Sequence, residues 1–508
     1  MANLLLVSIA AGDTRVALSE DGRLAEFFLE HHSQADPTGN IFKGRVVKVL
    51  PGMAAAFVEI GLERPAYLFV DEVGEQGDEL YSFWLKQAGE EGPPPDTPPR
   101  RAPPAAIEEL LREGQDILVQ VTRPPQGDKG ARLTAHVTLP GHYLVLSPTL
   151  PHLGVSRRIP HEDERERLRG LLSDLRPDNM GLIARTAAQG QPLEKLLKER
   201  EELLQLWREI KRKSRAAPPP ALLHQELGAA FRVMRDLFTP EVDRVVTDHP
   251  AAYERLLQYV TGLNPLWAYK VELYQDPEPL FSHFALEIDL ARMLSPLVWL
   301  KSGGYLWFET TEALTAIDVN TGRFVGRQHL EDTLLKTDLE AARETARQLR
   351  LRNLGGIIVI DFIDLAAAAH RDQVYQELLE ALKRDRAKTT VMPMSPLGLV
   401  EMTRQRLRES LAQTVTEPCR HCDGRGFVLT PLTVAHELLR QLAAEVREFP
   451  GSLITVQAHP EVLAALHQEA ASLKDHWAQS WQVQIELTPN PSFPREHYEI
   501  TRQWPGGG

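Results

Sequence analysis

Two aspartates close apolar runs on either side of one helical stretch: Asp318 in LTAIDVNTG and Asp361 in IIVIDFID. Strand ends of open α/β sheets are where binding crevices form. Two carboxylates brought together there repel unless they share a cation, and oxygen-only donors suit magnesium, with manganese as the alternative. Asn320 lies two residues beyond Asp318 and shares its face if the strand continues, which sets an amide beside the carboxylate. The plainer reading makes each aspartate a cap or a hydrogen-bonded loop residue, and for Asp364, ahead of an alanine-rich stretch, an N-cap is expected.

The elements that must position this pair are legible around it. Tyr305 to Phe308 and Leu314 to Val319 are apolar strands, and Leu335, Leu339, Ala342, Ala346 and Leu349 recur at helical spacing. Gly355-Gly356 ends that helix, Ile357 to Ile360 reads as a buried strand, and a helix over Arg371 to Arg386 precedes a strand at Thr389 to Met392. Strand, helix, strand, helix, strand implies a layered α/β domain whose crossover helix brings Asp318 and Asp361 to one end.

Other segments carry weaker signals. Residues 40–73 alternate in short strands broken by Gly and Pro, the pattern of a small barrel, and the pattern returns over 114–138. The stretch 74–104 between them ends in GPPPDTPPRRAPP, which cannot pair strands and reads as a mobile insertion. Phe57 and Tyr67 fall in the barrel; with Lys43, Arg45 and Lys129 nearby they could stack unpaired bases, or they could fill the barrel core. Arg185-Thr186 follows the apolar GLIA and offers a guanidinium fork beside a hydroxyl, a grip for a terminal phosphate or an ordinary surface ion pair. Residues 380–408 are net basic and read either as phosphate-facing or as solvated helix faces. Cys419-Arg-His-Cys422, followed by Asp-Gly-Arg-Gly, suits a zinc knuckle better than thioredoxin chemistry, which needs a strand before the pair and a helix after it. Two thiolates leave a tetrahedral site incomplete, so a zinc site needs either a local histidine such as His421 or the same pair from a second chain; the plainer alternative is a CxxC pair without metal.

Composition bounds the rest. With 508 residues the chain holds several domains, and 43% hydrophobic with 25% charged residues excludes a disordered or collagen-like chain. A net charge of −13 argues against a uniformly basic polyanion binder while leaving room for one basic groove. No apolar run is long enough to span a bilayer, the first residues lack the basic flank of a signal peptide, and the two cysteines provide no disulfide framework; a cytoplasmic protein without membrane association is expected.

Taken together, GNIFKGRVVKVLPGMAAAFVEIGLERPAYL, MGLIARTA, LTAIDVNTGRFVG, LRNLGGIIVIDFID, GLVEMTRQRLRESL and CRHCDGRG resemble the ribonuclease E/G family and appear in that family's order. The resemblance implies a multidomain α/β and α+β chain. It has an RNase H-like domain in two parts (1–38 and 230–294), split by an OB-fold RNA-binding barrel (39–138) and a 5′-sensor region (139–229). A DNase I-like catalytic domain (295–416), a zinc link (417–431) and a small α+β domain (432–508) ending in a frayed tail follow. Asp318 and Asp361 match the aspartates that hold catalytic magnesium, and Asn320 the asparagine that supports them. Phe57, Tyr67 and Lys129 match RNA-contacting positions; Val145, Arg185 and Thr186 match the pocket that senses a 5′-monophosphate. Lys388 stands where longer members of the family carry arginine, which keeps the charge but loses the bidentate fork. The activity implied is magnesium-dependent endonucleolytic cleavage of single-stranded RNA, favouring 5′-monophosphorylated ends, in ribosomal RNA maturation and mRNA decay. A homodimer joined by zinc on Cys419 and Cys422 is implied, with a tetramer as a further assembly, and the chain's end at Gly508 implies no built-in scaffold for a degradation complex. The competing reading is a non-catalytic RNA-binding assembly factor organised as a zinc-linked dimer.

Overall fold

In this computed structural model, the structure describes residues 3–504 apart from 35, 74–105, 126–128, 157, 323–329, 407 and 470–481. The proline-rich insertion over 74–104 therefore lies outside the described residues. The chain forms two compact units, Met1–Thr414 and Val415–Gly508.

In the first unit, strand Leu4–Ile9 pairs antiparallel with Asp13–Glu20, which pairs with Arg23–His31 through a tight turn where Asp21 (φ 53°) and Gly22 (φ 76°) both take the left-handed conformation such a hairpin requires. On its other side Leu4–Ile9 runs parallel to Arg244–Thr247, itself parallel to Val271–Leu273. Residues more than two hundred positions apart thus share one sheet. Between them in sequence, Ile41–Leu50, Ala55–Glu59, Ala66–Phe69, Arg132–Thr134 and Asp116–Arg123 close a five-stranded barrel, because Asp116–Arg123 pairs back onto Ile41–Leu50. Val46, Val58, Leu68, Val119, Val121 and Leu133 fill it. At Gly130 a Cβ would lie 2.0 Å from the Pro65 carbonyl oxygen, so only glycine lets the chain beside Lys129 pass so close to the neighbouring strand. A small sheet of Leu139–Pro140, Leu144–Ser147, Leu153–Val155 and Gly181–Ala184 packs on helices Glu162–Leu175 and Leu193–Ala216 through Leu146, Leu168, Leu182 and Trp207.

The layered α/β part has strand order Leu297–Trp299, Tyr305–Thr310, Leu314–Asn320, Gly356–Asp361, Leu399–Arg404, Thr389–Val391, with only the third and fourth parallel. Helices Leu330–Leu351 and Ala368–Leu382 cover one face, where Ile317, Ile358, Ile360 and Val400 meet Ala342, Ala346, Val374 and Leu378. The other face alternates to exposed or half-buried residues. Leu399–Arg404, not anticipated as a strand, is inserted between two that were, with Val400, Met402 and Arg404 buried and Glu401 and Thr403 exposed in alternation.

Within the basic stretch over 380–408, Lys383, Arg384, Lys388 and Arg406 are exposed, as a solvated face would be, whereas Arg386 and Arg404 are turned onto acidic partners. Arg404 is buried against Asp385, Arg386 reaches Glu26 at 3.1 Å, Arg384 pairs with Glu20 at 3.8 Å, and the Arg408 guanidinium lies 3.8 Å from the centroid of the Phe28 ring. Arg350, from helix Leu330–Leu351, also binds Glu20 and Glu26, at 2.6 and 3.1 Å. Burial pushes the Glu26 carboxyl up, but Arg386, Arg350 and Arg408 outweigh it and hold the group down at about 2. These charges fasten the N-terminal sheet to the α/β layer.

In the second unit Leu453–Ala458 lies between Gln484–Pro489, parallel, and Tyr498–Gln503, antiparallel, and helix Pro431–Glu448 packs Leu438 and Leu442 on Ile454 and Val456. Of the tail, Tyr498–Gln503 is a paired edge strand, hidden in the sequence because exposed Glu499, Thr501 and Arg502 dilute its apolar residues, and 505–508 lie outside the described residues. Among the described residues no helix is long and apolar enough to cross a membrane.

Candidate active site

Parallel pairing of Leu314–Asn320 with Gly356–Asp361 sets Asp318 directly opposite Asp361 in register. Both carboxylates are exposed on the open face of the sheet. The backbone alone therefore brings the two groups to adjacent positions, as the strand–helix–strand pattern requires. Asn320 Nδ2 donates to Asp318 Oδ2 at 2.7 Å, fixing that carboxylate with one oxygen while the other stays available. Glycines hold Asn320 in turn: a Cβ on Gly304 would lie 2.6 Å from the Asn320 carbonyl oxygen, so the turn over residues 301–304 can close against it. Helix Leu330–Leu351 anchors that turn, since Glu340 accepts from the N–H groups of Lys301 and Ser302 at 2.5 and 2.8 Å.

The Asp361 carboxyl is raised above its ordinary value by burial first, then by the charges of Asp318 and Asp364. That mutual repulsion is what a shared divalent cation would relieve. No group of three or more His, Cys, Asp or Glu side chains suited to a metal occurs among the described residues. Two carboxylates with open coordination positions match magnesium, which keeps several waters and binds through one or two carboxylates plus substrate phosphate. Asp364 is not the expected N-cap: helix Ala368–Leu382 starts after Ala367, whose N–H Glu331 accepts at 2.9 Å, and Asp364 stays exposed as a third negative charge near the pair.

Behind the sheet sits Asp338, a residue not singled out by sequence. It is fully buried, accepts from the Ile363 N–H at 3.2 Å with Oδ1, and its Oδ2 finds no hydrogen-bond partner among the described residues. Burial pushes its carboxyl up to about 7, against the opposing pull of the Ile363 N–H. Because the folded pKa lies above the unfolded one, the native state holds a proton that the unfolded chain releases near pH 4. Stability should therefore fall as pH rises from about 4 to about 7, by roughly 1.4 kcal/mol per unit at the steepest, and the loss is complete above that window. Asp338→Asn, which keeps an acceptor for Ile363, should remove this slope and raise the denaturation midpoint at pH 8 but not at pH 4; equal slopes in urea titrations of the two proteins would refute the assignment.

The barrel residues settle one open alternative. Phe57 and Tyr67 face each other across paired strands and are only half-buried, so they do not fill the core; they lie on the outer surface. Phe69 extends the strip, edge-on to Tyr67 at 5.4 Å, with the Arg132 guanidinium 5.1 Å from its centroid. Lys48 is the cross-strand partner of Phe57. Phe69 was missed, although its two-residue offset from Tyr67 was readable. Lys129 is exposed beside this barrel, whereas Lys43 and Arg45 are drawn to Asp116 at 3.5 and 3.2 Å.

Val145, Arg185 and Thr186 lie on or directly after neighbouring strands of the small sheet, where Val145 is paired with Ile183 and buried. Arg185 is largely buried, donating to the Gly141 carbonyl at 2.6 Å and to Asp236 Oδ1 at 2.7 Å; the Thr186 hydroxyl meets Ser156 Oγ at 2.9 Å. Arg158 donates to the carbonyl of Arg386, two residues before the exposed Lys388, and so ties that segment to the same region. Glu199 props the loop before Val145 by accepting from the N–H groups of His142, Tyr143 and Leu144 at 2.6, 2.8 and 2.7 Å.

In the second unit Cys419 and Cys422 are free thiols in a run of turns. The N–H groups of His421 and Cys422 point at the Cys419 sulfur and hold that thiol below its ordinary pKa. Amides directed at a sulfur favour the thiolate, the form that ligates zinc.

Comparison with known proteins is consistent along the whole chain. Residues 138–407 match the model of the Ribonuclease E/G family, and residues 418–503 match that of the RNase E/G, Thioredoxin-like domain. The chain is 40% identical over 505 residues to Ribonuclease G of Escherichia coli K12, covering 98% of this chain and 99% of that protein. It is 40% identical over 465 residues to Ribonuclease G of Haemophilus influenzae, covering 92% of each. Against Ribonuclease E of Escherichia coli K12 identity is 34% over 505 residues, 99% of this chain but 46% of that protein.

Proposed function

Because the chain belongs to the ribonuclease E/G family, we propose that it is a magnesium-dependent endoribonuclease acting on single-stranded RNA in ribosomal RNA maturation and mRNA decay. The observation that carries this reading is the in-register pair Asp318 and Asp361 on an open sheet face, with Asn320 holding the first. Asp318 and Asp361 would hold the ion, which when bound supplies charge neutralisation at the scissile phosphate and a water acidic enough to attack at neutral pH. Asn320 keeps Asp318 oriented. Attack by water, in line with the leaving 3′ oxygen, breaks the P–O3′ bond and leaves 5′-phosphate and 3′-hydroxyl ends, with the 2′-hydroxyl a spectator. Phe57, Tyr67 and Phe69 favour single strands because stacking needs exposed base faces, and Lys129 adds phosphate contact.

Val145, Arg185, Thr186 and Lys388 form the proposed 5′-monophosphate pocket, to which a bulkier and more highly charged triphosphate would bind less well. The place of Val145, Arg185 and Thr186 on or beside neighbouring strands of the small sheet supports it, Lys388 following a segment that Arg158 ties there, and the Asp236 contact orients Arg185 rather than leaving it to sample rotamers. Zinc shared by Cys419 and Cys422 of two chains would complete four thiolates and join a homodimer, with a tetramer as a further assembly. The double variant Cys419→Ser, Cys422→Ser should lose bound zinc and halve the mass seen by light scattering; a zinc-free wild-type dimer would overturn this part.

The reading as a whole is tested with one A/U-rich oligonucleotide carrying either a 5′-hydroxyl or a 5′-monophosphate, with and without magnesium. Magnesium-dependent internal cuts, faster on the monophosphate, are expected. Tight binding without any cut would favour a non-catalytic RNA-binding assembly factor instead.

A further inference from the structure

The open face of the catalytic sheet is not a polar surface beside its carboxylates. Trp307 is the antiparallel cross-strand partner of Asp318, and directly opposed residues of paired strands project from the same face. Its side chain remains 43% exposed, and the flanking position on the edge strand is Leu297. One row along, Asn320 faces Tyr305, which faces Trp299; the two rings meet edge-on at 5.5 Å and Trp299 is 63% exposed. Three aromatic residues thus stand on one flank of Asp318 and Asn320 while Asp361 stands on the other. A folded chain gains nothing in stability from leaving two tryptophans on the solvent side of a sheet, so their placement calls for an occupant.

We propose that Trp307, supported by Trp299 and Tyr305, is a stacking platform for an unpaired nucleobase adjoining the scissile phosphate. The proposal rests on the nuclease reading, since it is the phosphate held at Asp318 and Asp361 that carries the strand across this face. The rows bearing Trp307 and Tyr305 are two residues apart along the strands, about 7 Å, close to the spacing of successive nucleotides in an extended single strand. The aromatic strip on the barrel supplies base contacts elsewhere; this platform acts next to the chemistry and orients the bond to be cut. A ring that accepts any base face gives tolerance of sequence together with strict demand for an unpaired nucleotide.

The test uses the full-length protein, with binding read by fluorescence anisotropy in magnesium on a single-stranded oligonucleotide made non-hydrolysable at the cut, and cleavage read separately on the unmodified strand. Trp307→Ala should weaken binding about 5–100-fold, the range expected for one lost stacking contact, and Trp307→Phe should recover most of it. Replacing single nucleotides of the oligonucleotide by abasic spacers should reveal one position, beside the cut, whose loss weakens the wild type but not Trp307→Ala. Trp299→Ala should show a smaller effect at the same position. The platform is overturned if Trp307→Ala and wild type respond identically to every spacer, or if the variant binds RNA normally and instead loses self-association, which would make the face an interface between copies. Failure of the nuclease reading looks different: the wild type would then make no cut at all, whatever the effect of Trp307.

Discussion

Asp318→Asn is expected to abolish cleavage while leaving the fold and RNA binding in place. The substitution keeps size and a hydrogen-bond acceptor for Asn320, so the 2.7 Å contact between residues 320 and 318 can persist. What it removes is one of two negative charges facing each other across paired strands. Metal assistance supplies several kcal/mol of transition-state stabilisation, and each ~1.4 kcal/mol is tenfold in rate, so a loss of at least about a thousandfold should follow. Asp361→Asn should match it. Because relief of like-charge repulsion is local and solvent-exposed, thermal unfolding should stay within a few degrees of the wild type or rise slightly. Gel-based cleavage assays beside anisotropy binding and thermal melts check all three expectations. A variant that cuts at a tenth of the wild-type rate would place the metal elsewhere.

Arg404 should be the most costly single position for stability among the charged residues of the α/β layer. Its Nε and Nη2 bind the two oxygens of Asp385 at 2.6 and 3.0 Å, and its Nη1 donates to the Leu354 carbonyl at 2.7 Å. Both side chains of the pair are nearly inaccessible, at 3% and 2% exposure. Removing one partner strands the other charge in the interior, at about 3–5 kcal/mol. Arg404→Ala should therefore lower the free energy of unfolding by that amount, and Arg404→Lys should recover little because it lacks the planar fork. Replacing both residues by apolar side chains should cost less than Arg404→Ala alone, which a double-mutant cycle in urea would show; additive losses would mean the pair acts as two independent residues.

How much of this was readable in the sequence divides along physical lines. Short apolar runs, such as Gly181–Ala184 and Ile357 to Ile360, and helices with long apolar stripes, such as Glu162–Leu175, declare themselves through local pattern, but the expected burial of the second run fails on one face, where Ile357 is 51% exposed. Asp318, Asn320 and Asp361 were legible because strand periodicity fixes which residues share a face and a crossover fixes which strand ends meet. Edge and inserted strands with one charged face, Leu399–Arg404 and Tyr498–Gln503, were not, since their pairing depends on partners distant in sequence. The same limit hid Asp338, whose significance is burial against Ile363, and Trp307, whose significance is the strand beside it. Within the charge run over 380–408 only tertiary contacts, with Glu26 and Asp385, mark Arg386 and Arg404 as turned inward; no local pattern separates them from the exposed Lys383, Arg384 and Arg406.

Manganese titration followed by electron paramagnetic resonance tests the central claim most directly, because it counts ions without relying on turnover. One site per chain is expected in the wild type, lost in both Asp318→Asn and Asp361→Asn and retained in Trp307→Ala. A site that survives both aspartate substitutions, or RNA cleavage that proceeds undiminished in excess EDTA, would contradict the account.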